Sequence, residues 1–210
     1  SDETAGTVPS THQGLLTNRP RQGFPGHLFG QFIWDRAGSD RFLVLRRRFS
    51  CHRPPERALL HIAAAHKYRL FVNGESVGRG PCRSVHNGWT RYDTHDITAR
   101  LRAGLNGIAV LAFYHGGPTY FSCQPFGGVF VQAELFDGDT CRVVASDETW
   151  RVRRPERYRR DTRIMNHYSA IPAEFVEADK DAGDWIQADF DDSEWENAAV
   201  RLAGPVYDSQ

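Results

Sequence analysis

The sequence predicts an all-β protein, a β-sandwich or jelly roll relieved only by short helical turns. Short segments of alternating or wholly apolar residues recur along the chain. Clusters of Asn, Asp, Gly and Pro punctuate them at regular spacing, and no stretch sustains the 3.6-residue period of a long helix. At 210 residues and 40% hydrophobic content the chain can bury one good core, so one domain is expected.

Residues 1–27 are rich in Ser, Thr, Gly, Pro and Gln, and residues 1–30 are expected to be a flexible segment or linker. The sandwich is expected over 31–204, with 205–210 starting a further linker. Gln31 to Trp34 opens it. Residues 41–49, RFLVLRRRF, read as a long strand that ends before Pro54-Pro55, because proline cannot donate to a ladder. Residues 58–65 continue as a strand with Leu60, Ile62 and Ala64 on one face. Tyr68, Leu70 and Val72 then alternate with Arg69 and Phe71 up to Asn73-Gly74, the pair that a type I′ hairpin turn demands because both positions need φ > 0. Residues 90–97 can extend, 98–104 form one helical turn closed by Gly104, and the apolar run 108–114 is a buried central strand. A second hairpin joins 128–136 to 140–145 through Asp137-Gly138-Asp139, and Trp150 to Val152 adds a short strand. Residues 155–170 show little periodicity and are assigned to a loop, and 174–177 return as a strand. Asp191, Asp192 and Ser193 have the side chains of a helix N-terminus, so a short helix is expected over 194–199.

Lys plus Arg and Asp plus Glu both total 26, so no net field gathers a polyanion and nucleic acid is not an expected partner. Arg46-Arg47-Arg48 and the arginines of 151–160 are interleaved with strand formers or acids and read as solvated strand faces. No run approaches the roughly 18 apolar residues of a membrane span, so no membrane partner is expected. The N-terminus shows no basic segment followed by an apolar core. The chain is expected to be soluble, with cytoplasmic and exported locations both open. Cys51, Cys82, Cys123 and Cys141 lack a C-x-x-C pair or zinc spacing; they read as thiols, with Cys82 and Cys123 the first choice if a disulfide forms.

A catalytic reading needs a nucleophile with its base, a carboxylate pair or a metal. Ser84 and Ser122 lack a G-x-S-x-G elbow, no Cys-His signature surrounds Cys82 or Cys123, and His86, His95 and His115 are scattered. Asp93 with Asp96, and Asp189 with Asp191 and Asp192, are the carboxylates close enough in sequence to test as pairs. The first pair reads as pinning a turn and the second group as a cap. No cofactor is expected; calcium on loop oxygens stays open as an alternative, with no D-x-D-x-D-G loop behind it.

Two glycine-rich stretches carry the binding chemistry. The first holds Arg79, Arg83 and Trp89; the second holds Tyr114, His115, Tyr120 and Gln124. Aromatic faces stack on the C–H faces of sugar rings, and arginine, histidine and glutamine bond paired hydroxyls, so these seven residues are the candidate carbohydrate site. Trp89 and Tyr114 also read as core residues, a reading that leaves the glycines simply turning the chain.

The blocks Trp34, Phe49, YRLFVNGESVGRGP over 68–81, YDTHDIT over 92–98 and LRAGLN over 101–106, followed by DETWRV over 147–152, Trp185 and FDDSEWENA over 190–198, resemble the N-terminal β-sandwich region of bacterial α-L-rhamnosidases. Individual blocks also resemble galactose-binding-like modules of other glycosidases. The resemblance spans about 31–200 and implies a galactose-binding-domain-like sandwich, a carbohydrate partner containing rhamnose, and a downstream catalytic domain. In that family an (α/α)₆ barrel following the sandwiches performs inverting hydrolysis with Glu and Asp residues. Nothing here matches the barrel's acidic motif, so no catalytic residue is carried over, and no ligand set of the family's calcium-dependent rhamnose module aligns. The expected function is a non-catalytic module of such a hydrolase that binds carbohydrate or braces the barrel. The alternatives are a free-standing lectin-like protein and a small glycan-active enzyme with its site in a sandwich groove.

Overall fold

The computed structural model describes residues 14–16, 29–38, 42–80, 90–116, 126–159, 174–177, 180 and 183–201. Its strands are β1 (Gly14–Leu16), β2 (Ile33–Trp34), β3 (Phe42–Cys51), β4 (Arg57–Ala64), β5 (Lys67–Val72), β6 (Glu75–Gly80), β7 (Thr90–Asp96), β8 (Gly104–Phe113), β9 (Val129–Asp137), β10 (Thr140–Ala145), β11 (Arg151–Arg153), β12 (Glu196–Asn197) and β13 (Ala199–Val200). Single 3₁₀ turns at Thr98–Arg100 and Asp184–Ile186 are the only helical pieces among the described residues. The strands form two sheets with antiparallel pairing throughout. One runs β1-β7-β4-β9-β2-β13, with β10 also on β9; the other runs β12-β11-β3-β8-β5-β6. This is the all-β sandwich that the turn spacing predicted.

The alternation of each strand sets which side chains meet between the sheets. Leu43 and Leu45 of β3, Val110 and Ala112 of β8 and Tyr68 and Leu70 of β5 line the inner face of the six-stranded sheet. They pack against Leu60 and Ile62 of β4 and Val131 and Ala133 of β9. Trp34 and Trp150 are buried in the same core. Burial of each such side chain contributes about 1.5–3 kcal/mol, so the sandwich needs no helix layer.

The β5–β6 hairpin turns at Asn73 (φ 51°) and Gly74 (φ 86°), as the Asn-Gly pair requires. Asn73 is also an anchor. Its Nδ2 donates to the Arg100 carbonyl (2.7 Å) and Asn106 Oδ1 (2.8 Å), and its Oδ1 accepts from the Gly107 amide (2.8 Å). The tip of the hairpin is thereby tied to the turn that feeds β8.

At the C-terminal end the structure departs from the sequence reading. Residues 194–199 form no helix; Glu196–Asn197 pairs with β11, and Ala199–Val200 pairs with β2. Asp191 accepts the Ser193 amide (3.0 Å), as at a helix start, but Asp192 is drawn inward by two arginines and the chain then runs as strand. Around Val176 the expected strand reduces to one bridge to Tyr158. Cys51 and Cys141 are free thiols, whereas the Cys82–Cys123 pairing lies outside the described residues.

The outer face of the six-stranded sheet is half covered. Residues 183–195 cross it as a strap, packing Trp185, Ile186, Phe190 and Trp195 on Val44, Ala109, Phe71 and Leu111. Arg46, only 1% exposed, points outward from β3 beneath this strap. It donates to Asp192 Oδ2 (2.5 Å), to the Gln187 carbonyl (2.6 Å) and to the Phe190 carbonyl (3.2 Å), and its guanidinium lies over the Phe190 ring. Arg48 takes the other oxygen of Asp192 at 2.8 Å. Asp192→Ala leaves Arg46 charged and buried with its carboxylate gone, so we expect a loss of about 3–5 kcal/mol in urea unfolding, with hydrogen exchange accelerated first over the strap. A loss within experimental error would show that the pair does not hold the strap.

Candidate functional site

Strand register brings several connections to one end of the sandwich. Gly80 lies opposite Tyr68, which lies opposite Ala112, and Lys67 lies opposite Phe113, while in the other sheet Ala64 lies opposite Val129. The connections 65–66, 81–89 and 114–128 therefore all leave from this end. The two glycine-rich stretches singled out in the sequence begin at the ends of β6 and β8, the strands that flank β5 on either side.

Of the seven predicted site residues, three are described. Arg79 stands exposed on β6. Tyr114 is turned inward: it is 4% exposed, its ring stacks on His66 with centroids 5.0 Å apart, and it meets Trp34 edge-on. This is the core placement weighed from the sequence, and it leaves Tyr114 unable to present an open face to a sugar. His115 is half-buried, with its ring edge-on to Phe113 and 4.4 Å from the His66 ring centroid. Arg83, Trp89, Tyr120 and Gln124 lie outside the described residues.

Next to this end, on the uncovered half of the outer face, lies a groove of about 440 Å³. Phe42, Phe113 and Tyr158 make an aromatic wall, Phe42 and Tyr158 being stacked with centroids 4.2 Å apart. Lys67, Arg69 and Arg79 line the groove with Glu174. None of these three cations makes a hydrogen bond or ion pair among the described residues; Lys67 lies over the Phe113 ring at 5.6 Å. Sequence reading singled out Arg79 alone of these. The alternation of β5 did put Lys67 and Arg69 on one face, opposite Tyr68 and Leu70. Their meeting with Phe42 and Phe113 depends on strand pairing, which no local pattern reveals.

A polar trio closes the edge where the two sheets approach. Tyr68 Oη donates to Asp93 Oδ2 (2.5 Å) and stands 3.0 Å from His95 Nε2. Burial lowers the His95 pKa; because the tyrosine proton goes to Asp93, the tautomer that completes this contact is the one carrying its proton on Nε2. Strand β6 lies flush on this trio because it carries glycine at two positions. A Cβ on Gly78 would sit 2.6 Å from the His95 ring, and one on Gly80 would sit 2.3 Å from Asp93 Oδ2. Asp96, three residues from Asp93 on the same strand, faces the opposite side and accepts from the Thr98 amide (2.9 Å) and hydroxyl (2.6 Å). These bonds hold its carboxyl below the usual range. The two carboxylates thus cannot flank one glycosidic bond, and Asp96 pins a turn as the sequence reading had it.

An antiparallel two-sheet sandwich with an open aromatic and cationic groove on one outer face, and with a polar cluster at one edge, is a β-sandwich domain. The α-L-rhamnosidase N-terminal domain model matches residues 53–206, and the chain belongs to that family. It is 28% identical over 174 residues to an α-L-rhamnosidase of Streptomyces avermitilis, covering 76% of this chain and 16% of that protein. The GH78 family rhamnosidase of Bacillus sp. GL1 superposes with a TM-score of 0.72 at 32% identity, over 82% of this chain and 18% of the solved one. The chain therefore spans less than a fifth of these relatives. A lectin from Pleurotus ostreatus, solved in complex with GalNAc, shares the fold at a TM-score of 0.51 and 19% identity, over 84% of this chain and 42% of that one.

At the loop-bearing end, His66 is 8% exposed, and its Nδ1 accepts the His115 amide at 2.9 Å. Burial, then the neighbouring His115 and Lys67, push its pKa from 6.5 down to about 3. Unfolded chains bind this proton near pH 6.5 and the folded chain does not, so stability from this residue is complete above that pH and is lost on acidification toward pH 3. We expect a slope approaching about 1.4 kcal/mol per pH unit from this residue within the window. Urea unfolding at stepped pH should show the slope reduced in His66→Asn, which retains an acceptor for the His115 amide. An unchanged slope would refute the assignment.

Proposed function

We propose that this chain is the non-catalytic N-terminal sandwich of an α-L-rhamnosidase-like glycoside hydrolase and that it holds carbohydrate at its loop-bearing end and in the adjoining groove. The folded module is taken as residues 31–204, with Gly14–Leu16 adding an edge strand to it through β7. The observation that carries the reading is the groove itself: an aromatic wall beside side chains rich in hydrogen-bond donors that make no hydrogen bond or ion pair among the described residues. Such a surface suits the C–H faces and hydroxyls of a sugar ring. Arg79 belongs to both the groove and the predicted set, and the connections carrying Arg83, Trp89, Tyr120 and Gln124 leave from strand ends beside it. The shared fold of a lectin solved with GalNAc is consistent with this use of the architecture. Rhamnose itself comes from the family alone.

Bracing of a downstream catalytic domain is a second reading, favoured by Phe175 and Val176, 59% and 45% exposed, next to the groove. It gives Phe175→Ser a lower melting temperature in a longer protein but not in this chain. For the carbohydrate reading, titration of L-rhamnose into the chain, followed by heteronuclear NMR, should give saturable shifts in the millimolar range centred on Arg79 and Phe113. Trp89→Ala should weaken binding about tenfold if its ring supplies a stacking platform. Absence of saturable shifts at high millimolar sugar would reject it.

A further inference from the structure

We propose that the groove on the outer face of the six-stranded sheet takes a carboxylated sugar, a uronic-acid residue of a glycan, whose carboxylate is received by Arg69 and Arg79. This rests on the carbohydrate reading above and names its ligand class.

The register of the sheet places the groups. Arg69 of β5 lies directly opposite Arg79 of β6, and on its other side opposite Leu111 of β8. One row further toward the loop-bearing end, Lys67 lies opposite Phe113, which lies opposite Phe42. Positions two apart on a strand share a face, so Lys67, Arg69 and Arg79 form one cationic patch against the aromatic wall. Like charges directly opposite in an antiparallel pair destabilise it.

Six arginines elsewhere among the described residues are paired with acids. Arg46 and Arg48 share Asp192, Arg53 meets Asp137, Arg100 meets Glu75, Arg153 meets Glu156 and Arg154 meets Asp35. Arg69 and Arg79 have no such partner among the described residues, and they stand opposite each other within one groove. Glu174 is the one acid lining the groove among the described residues, set against three cations. A bound carboxylate relieves this imbalance, and the planar guanidinium fork matches its two oxygens. The occupant is a sugar acid rather than an acidic protein face because the cations border a concavity of about 440 Å³ with an aromatic side. That size suits one or two pyranose rings, whereas protein partners need about 800 Å² of matching surface on each side.

The test compares D-galacturonate with D-galactose, which differ at C6 by carboxylate against hydroxymethyl, on the full 210-residue chain by calorimetry or NMR. Galacturonate should bind at least about tenfold tighter, and added salt should shrink the difference. In the double variant Arg69→Gln with Arg79→Gln the two sugars should bind alike, while the melting temperature holds or rises as the repulsion is removed. Arg79→Gln alone, at an exposed edge position, should show an intermediate preference and guards against misfolding of the double variant. Equal binding of both sugars by the unaltered chain overturns the proposal but leaves the carbohydrate reading standing. Binding of neither sugar, nor of L-rhamnose, overturns both. A preference for galacturonate that survives the double variant overturns the assignment to this groove.

Discussion

Arg46 carries the arrangement on which the outer surface depends. A central-strand arginine aimed outward would ordinarily reach water, but here Asp192, two backbone carbonyls and the faces of Phe190 and Trp195 enclose it. Burial lowers its pKa and the Asp192 carboxylate opposes that shift, so the charge is retained by its partners. The consequence reaches well beyond one ion pair. With Asp192 held against β3, residues 183–195 must cross the six-stranded sheet, Glu196–Asn197 must pair with β11, and Ala199–Val200 must reach across to β2 in the other sheet. The chain thereby clamps both sheets together after leaving the core.

The same clamp determines how much of the outer face stays open. The strap covers Val44, Ala109 and Phe71 and stops short of the row holding Phe42, Phe113 and Lys67. What remains open is the half of the face nearest the loop-bearing end, which is why aromatic and cationic side chains there line a groove instead of a core. On the other side of β5 the sheets are sealed by the Tyr68–Asp93–His95 trio, over which Gly78 and Gly80 let β6 lie close. The glycines of the Gly78-Arg79-Gly80 stretch therefore serve packing, while the arginine between them faces outward to the groove. Close packing and solvent exposure thus fall to alternate residues of one strand.

Much of the fold was legible because its signals are local. Asn73-Gly74 specifies its turn through φ alone, Pro54-Pro55 ends a strand because proline lacks an amide hydrogen, and the apolar run of β8 can lie only at a sheet centre. The C-terminal helix failed for a non-local reason. Asp191 and Ser193 do make the local bond of a helix start, but the arginine competing for Asp192 lies 146 residues away. Of the groove's lining, the glycine-rich setting singled out Arg79 in the sequence but not Lys67 or Arg69, while Tyr114 lies in the core.

The sequence by itself determined that this chain is a β-sandwich, where most of its strands turn, and which family it resembles, since alternation and turn chemistry act between neighbours along the chain. Only the tertiary structure decided that Arg69 faces Arg79, that Phe42 meets Phe113, and that Arg46 buries its charge under a strap. Those pairings join strands through ladder register, and register is set by the simultaneous burial of both inner faces, a property of the whole sandwich that no single segment contains.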